Sequence, residues 1–442
     1  MNKLRICLVS PPYQGHLNPL LGIGRELRDL AEITVLSTPG AMPAIAAAGF
    51  KGYPIMAEGE AVVNWIATPG KTVKNNPLLM FQQFKKNMAL QPGLLRELEA
   101  AFAREQPDIV IADFTLPVTA VAAQRNGARW WSHLPSACVF ETPDAPPAYF
   151  GGLKPGRGRH GRCRDHLLRA FTRFFKRGFF FLFRDTFRQL GLSSVYRPDG
   201  SERAYSAEKI LVSSVRELEF ARRYPQHLHF IGPLPYTPPS TAAAPEFISD
   251  KKHLLVTLGT HSRHHKDGMA ALLQQAAGKL GDWVVHFSNG EPGSTKTGKQ
   301  GNFHRHDFIS YADHLHRYDL VLHHAGSGIM LQCLRLGIPA VVFPLDFDQF
   351  DNAARLEAAG LAIWVRQRES LEGSLIEAIR SDDLACACRA FSKVIAAYDP
   401  GTTLRSLITN HSALCQVKPP PGTPPLPCHS GSQSGASLLS GP

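Results

Sequence analysis

The apolar residues of this chain come in short runs that alternate with amphipathic stretches. Leu4–Ser10 is mostly apolar and stops at Pro11 and Pro12, the pattern of a buried parallel strand meeting a loop. Leu17–Leu30 then repeats Leu20, Leu21, Ile23, Leu27 and Leu30 at helical spacing. Ile33–Leu36 reads as a second strand, and Asp108–Ala112 as another that ends at Asp113, with a helix over Val118–Arg125. The rhythm resumes at Leu254–Leu258, which ends at Gly259 and Thr260, and continues through strands at Trp283–Ser288, Asp319–His323 and Ala340–Phe343. Such alternation predicts parallel sheets covered by helices on both faces, the α/β class.

The two series are separated by Pro233, Pro235, Pro238, Pro239 and the small-residue stretch Ser240–Ala244, a linker composition. The expected division is 1–235, a linker at 236–250, and 251–412, with the last helix of the second unit crossing back to the first. Two doubly wound domains joined in this way face a cleft at the carboxyl ends of their strands, where open α/β sheets bind ligands. From Lys418 the chain is rich in Pro, Ser and Gly, so 416–442 is expected to be a disordered tail.

Length and composition agree: 442 residues exceed one ordinary core, and 44% hydrophobic with 19% charged residues is a globular balance. No run reaches the ~18 apolar residues of a membrane span. The N-terminal apolar run is too short for a signal peptide, so the expected location is cytoplasmic. The eight cysteines are scattered, as reduced thiols are, and fit neither a zinc site nor a disulfide framework. Net charge is +11, concentrated in Lys154–Arg188, where only Asp165 and Asp185 oppose the basic residues. No nucleic-acid module surrounds that patch. Its aromatic part, Phe171–Phe183, reads either as the wall of an apolar acceptor pocket, with Phe179, Phe180 and Phe183 as the contact residues, or as a helix resting on a membrane surface and leaving the protein membrane-associated. The histidines His261, His264 and His265 lack partnered carboxylates, and a solvated face accounts for them better than a metal does.

The segment from Asp319 to Asn352 carries the most chemistry. A strand ends at His323 and His324, and a loop of small residues follows: Ala325, Gly326, Ser327 and Gly328. A helix then runs from Ile329 to Leu336, with Gly337 as its C-cap. Small residues let backbone N–H groups approach an anion, and the helix N-terminus adds partial positive charge. This is a diphosphate cradle that calls for no metal. Beyond the next strand stand Asp348 and Gln349, a carboxylate and an amide suited to ligand hydroxyls.

This segment resembles the nucleotide-sugar signature of the family 1 (UDP-dependent) glycosyltransferases, above all the bacterial and natural-product members. The resemblance extends to Gly15–Pro19, Ile111–Asp113 and Leu258–Thr260. It implies the GT-B fold, two doubly wound Rossmann-like domains: 1–235 for the acceptor and 251–412 for the nucleotide-sugar. It also implies inverting, metal-independent transfer of a hexose from a UDP- or dTDP-sugar to a hydrophobic hydroxylated acceptor, with no cofactor. By the same resemblance His16 is the general base and Asp113 its polarising partner. Gly259, Thr260, His324, Gly326, Ser327 and Gly328 surround the donor diphosphate, while Asp348 and Gln349 bind the sugar. Phe308, Tyr311 and Gln332 stand where the family uses Trp, Gln and Glu for the base and ribose, and Ile329 replaces a Ser or Thr beside the phosphate. These departures keep two other readings open: a non-catalytic GT-B binding protein and a sugar-nucleotide epimerase.

Overall fold

The computed structural model describes residues 3–67, 77–234, 236, 242–259 and 263–415. Thr260, His261, part of the expected linker and the whole 416–442 segment lie outside the described residues. Two seven-stranded sheets account for the two strand–helix series. The first has β1 (Leu4–Val9), β2 (Ala31–Ser37), β3 (Lys51–Pro54), β4 (Ile109–Asp113), β5 (Arg129–Leu134), β6 (Ile210–Val212) and β7 (Leu228–Phe230). It is parallel throughout, in the order β3-β2-β1-β4-β5-β6-β7.

The second sheet has β8 (Lys252–Thr257), β9 (Trp283–Ser288), β10 (Gly298–Gln300), β11 (Phe303–His306), β12 (Leu320–His323), β13 (Ala340–Val342) and β14 (Ala362–Trp364). Its order is β10-β11-β9-β8-β12-β13-β14, parallel except for the β10–β11 pair. In each sheet the strand order reverses at one place, between β1 and β4 and between β8 and β12. Crevices open outside the strand ends at such reversals.

Both faces of each sheet are covered. Ile6 and Leu8 of β1 pack under the helix Gln14–Leu27 with Leu20, Leu21 and Ile23, while Cys7 and Val9 face Leu98 and Phe102 of the helix Pro77–Glu105. This in–out alternation is why an almost unbroken apolar run forms a central parallel strand. The first helix begins at Gln14, three residues before its apolar repeat, so His16 sits in its first turn.

The helix Pro400–Cys415 buries Leu404 and Ile408 in the core of the first unit. Each fully buried aliphatic side chain there contributes about 1.5–3 kcal/mol. A second connection is ionic and buried: Glu219 receives Arg355 at 2.8 Å and Arg222 at 2.7 Å. Burial raises the Glu219 pKa, but Arg355 and Arg222 outweigh it and hold the carboxyl below its ordinary value. Removing either arginine would leave a buried charge partly unpaired.

Candidate active site

At the β1–β4 reversal, His16 and Asp113 meet. Asp113, the last residue of β4, is 1% exposed, and its Oδ2 lies 2.9 Å from His16 Nδ1. Its Oδ1 accepts the Thr115 N–H at 3.0 Å and the Thr115 hydroxyl at 2.6 Å. Burial opposes the charge on Asp113, yet His16 and His133 outweigh it and hold its pKa well below the ordinary range. His16 is held between the rings of Phe114 and Tyr13, each 5.9 Å away by centroid. Burial works against the imidazolium, but Asp113, and more weakly Asp348, raise the His16 pKa above its ordinary value. With Nδ1 taken by the carboxylate, Nε2 is left for a ligand.

A further histidine stands behind this pair. His133 of β5 is fully buried, with Nδ1 3.9 Å from Asp113 Oδ2 and Nε2 2.8 Å from Ser213 Oγ. Burial depresses its pKa, so it is neutral where His16 titrates.

At the β8–β12 reversal the device is steric. The imidazole of His324 is wedged between two glycines. A Cβ on Gly326 would fall 2.4 Å from His324 Nε2, and one on Gly259 2.8 Å from Cε1. Gly259 also has φ +74°, which a side chain would strain. The preceding His323 is fully buried, its pKa pushed down to about 3 by burial, and its neutral Nδ1 accepts the Ala325 N–H at 3.0 Å. That bond supports Ala325 in the left-handed region, at φ +62°. The loop then feeds the helix Ser327–Leu336, whose first turn lies in the cleft and whose C-cap is Gly337 at φ +69°. Ile329 is buried against Leu255, Val321 and Cys333, which accounts for an apolar residue in that turn.

The third piece follows β13. Gln349 Oε1 accepts the N–H groups of Leu345 and Asp346, at 2.8 and 3.1 Å, so the amide oxygen shapes the loop and its N–H groups remain for a ligand. Asp348, just ahead of the helix Gln349–Ala358, has its pKa raised by burial despite the opposing influence of His16. Asn352, one turn on and fully buried, had no signal in the sequence. Its amide N–H groups reach Ala325 O at 3.0 Å and Asp348 Oδ2 at 3.3 Å, and its Oδ1 accepts the Ser136 hydroxyl at 3.1 Å. One side chain thereby joins the small-residue loop, the Asp348 turn and the first domain.

These pieces line one cleft of about 1110 Å³. His16, Gly259, Phe308, Tyr311, His324, Gly326, Ser327, Gly328, Gln332, Asp348 and Gln349 all border it, and Asp113 lies directly behind His16. Tyr311 is anchored by its hydroxyl, 2.7 Å from Thr257 Oγ1. On the first-domain side the wall is largely apolar, with Met56, Ile66, Leu90, Leu94, Leu116 and Val139.

Phe179, Phe180 and Phe183 do not border the cleft. Phe179 packs on Phe84 at 5.1 Å and on Phe183 at 4.7 Å, and Phe180 stacks on Phe187 at 4.6 Å. They brace the outside of the helix Pro77–Glu105, whose later residues Asn87, Leu90, Gln91 and Leu94 face the cleft instead.

Residues 283–391 match the model of the glycosyltransferase family 28 C-terminal domain, a span that includes Phe308, His324 and Asp348. The chain is 25% identical over 281 residues to the zeaxanthin glucosyltransferase of Pantoea ananas, covering 61% of this chain and 62% of that protein. The chain has the two-domain GT-B fold of glycosyltransferases, and its second half carries their C-terminal domain signature. Among solved structures, the glycosyltransferase of kitacinnamycin superposes with a TM-score of 0.71 at 20% identity, over 94% of this chain and all of the other. The spinosyn rhamnosyltransferase SpnG, solved with thymidine diphosphate, gives 0.60 at 21% identity, over 92% of this chain and all of the other. β12 of the β8–β12 reversal falls within the matched span, and residues from both reversals line the same cleft.

Proposed function

We propose that this chain transfers a hexose from a UDP- or dTDP-sugar to a hydroxyl of a hydrophobic acceptor, with inversion. The observation that carries the reading is the pairing of His16 Nδ1 with the buried Asp113 carboxylate, at 2.9 Å, in the same cleft as the His324 loop and the N-terminus of the helix Ser327–Leu336. His16 Nε2 takes the acceptor proton as the hydroxyl oxygen attacks the anomeric carbon. Asp113 fixes the tautomer and stabilises the imidazolium, the logic of a Ser-His-Asp triad with the substrate oxygen as nucleophile. The departing diphosphate gathers its charge at the helix N-terminus and His324, which serve in place of a metal. Asp348 and the amide N–H groups of Gln349 hold sugar hydroxyls, and the Phe308 ring takes the base. Gln332 carries no charge toward the ribose, and a relative of the same fold was solved with thymidine diphosphate; both favour testing dTDP-sugars beside UDP-sugars. The apolar first-domain wall favours a hydrophobic acceptor.

The first experiment is thermal melting of the metal-free protein with a panel of UDP- and dTDP-sugars. A donor that binds only the folded state raises Tm by mass action. A rise with one donor is expected, and turnover with a hydrophobic alcohol should follow. Absence of any rise far above ordinary KM values would replace transferase by binding protein. Donor conversion without an acceptor would indicate an epimerase.

The acceptor reading extends to a membrane surface. In the helix Gly158–Leu182, Leu167, Phe171, Phe174, Phe175, Phe181 and Leu182 recur at helical spacing and are all exposed. The polar contacts of this helix point the other way: Asp165 is buried, Arg173 pairs with Glu141 and Lys176 with Glu202. An outward apolar stripe flanked by the exposed Arg157, Arg159 and Arg162 suits an anionic lipid surface, from which a lipophilic acceptor would enter. Co-sedimentation with anionic vesicles should be lost in the Phe174→Ser/Phe181→Ser variant. Equal sedimentation of variant and wild type would remove this part of the reading.

A further inference from the structure

The donor half holds a row of histidines on one face of its sheet that the transfer reaction does not use. In the β9–β11 register His286 stands beside His304, and His306 follows two residues along the strand. His253 of β8 shares that face, because it lies two residues before Leu255, the partner of His286. His253, His286 and His304 are buried and His306 borders the cleft. Phe247 stacks on His286 at 5.4 Å, and Tyr318 meets it edge-on at the same distance.

Their hydrogen bonds define the tautomers. His253 Nε2 lies 3.1 Å from the Ile248 carbonyl, which can only accept, so Nε2 carries the proton and Nδ1 a lone pair. His286 Nε2, 2.9 Å from His253 Nδ1, therefore donates, which leaves a lone pair on His286 Nδ1. That lone pair faces His306 Nε2 at 3.2 Å. Two imidazole nitrogens bound tetrahedrally to one Zn²⁺, at about 2.0–2.1 Å each, stand about 3.3–3.4 Å apart. The His286–His306 spacing is thus already close to that of a shared metal. One ligand nitrogen from each of His286, His304 and His306 falls within 4.8 Å of the others, and among the described residues no other group does so. His304 Nδ1 is buried without a hydrogen-bond partner.

We propose that His286, His304 and His306 form a binding site for a late first-row divalent cation, Zn²⁺ foremost, with a water in the fourth position on the cleft side. Three imidazoles and no carboxylate select such an ion over Mg²⁺ or Ca²⁺. His286 enters with its Nδ1 lone pair free, and His306 needs only to move its proton from Nε2 to Nδ1, so no ligand has to ionise. His253 acts behind them, holding His286 through a hydrogen bond that ends on a backbone carbonyl, as outer partners of ligating histidines do. The bound ion ties β9 to β11 next to Asp307 and Phe308.

The test is titration of the chelator-treated full chain with Zn²⁺ against a chromophoric competitor, with Co²⁺ as the spectroscopic probe. One Zn²⁺ per chain is expected, with affinity at least tenfold weaker in His304→Gln and in His306→Gln and unchanged in the surface control His166→Gln. Co²⁺ should give the intense visible bands of a four-coordinate site in the wild type. That second readout stands even where a variant fails to fold. Absence of Zn²⁺ binding, affinity equal in all variants, or an octahedral Co²⁺ spectrum would each overturn the proposal.

Discussion

The two sheets reverse strand order once each, and at each reversal a histidine enters the cleft, but the two are held by different means. His16 is held by charge: a buried carboxylate at 2.9 Å raises its pKa and leaves Nε2 for a ligand. His324 is held by space: Gly259 and Gly326 leave a slot that a single Cβ would close. In the proposed reaction one side chain type then serves as a proton acceptor on one side and a positioned anion contact on the other, and the surroundings decide which.

The comparison is broken most severely by removing the charge. Asp113→Asn should lower kcat by about 100-fold or more, since the wrong tautomer is then favoured. It should also move the acidic limb of the pH–rate profile to lower pH. The base works when neutral, Asp113 raises its pKa, and burial alone would lower it. A steady-state pH series checks both, and an unmoved limb would separate that titration from His16.

Closing the slot comes next. Gly326→Ala pushes on the His324 ring and should raise the donor KM by about 10- to 100-fold, the loss of one or two charge-assisted hydrogen bonds. The His16 pH limb should stay in place. Asn352→Ala tests what joins the two sides and is the smallest effect. It leaves Ala325 O and the Ser136 hydroxyl without this partner and should cost about 1–3 kcal/mol in stability, read by urea denaturation.

Strand ends were the legible part of this chain, because a parallel strand is an apolar run and its first polar residue marks the cleft. Asp113 and the His323–His324 strand end followed from that, and the Gly337 cap from the end of a helical repeat. Asn352 did not, because its partners lie 216, 27 and 4 residues away and only the last, Asp348, belongs to its own turn. The phenylalanines of 179–183 advertised apolar surface but not its direction, and they face the outside of a helix rather than the cleft. The histidine row was hidden for another reason. Alternation along a strand puts His304 and His306 on one face although they are not adjacent in sequence, and only the register adds His286.

The division of labour between the two reversals is tested most directly by His16→Ala, with turnover and donor affinity measured on the same preparation. Transfer should fall by about 10²- to 10⁴-fold, and the donor dissociation constant, read by calorimetry, should change by far less than the rate, because His16 is assigned to the acceptor proton and touches the donor side only through the weak influence of Asp348. Near-normal turnover, or a donor affinity that falls as far as the rate, would contradict the account.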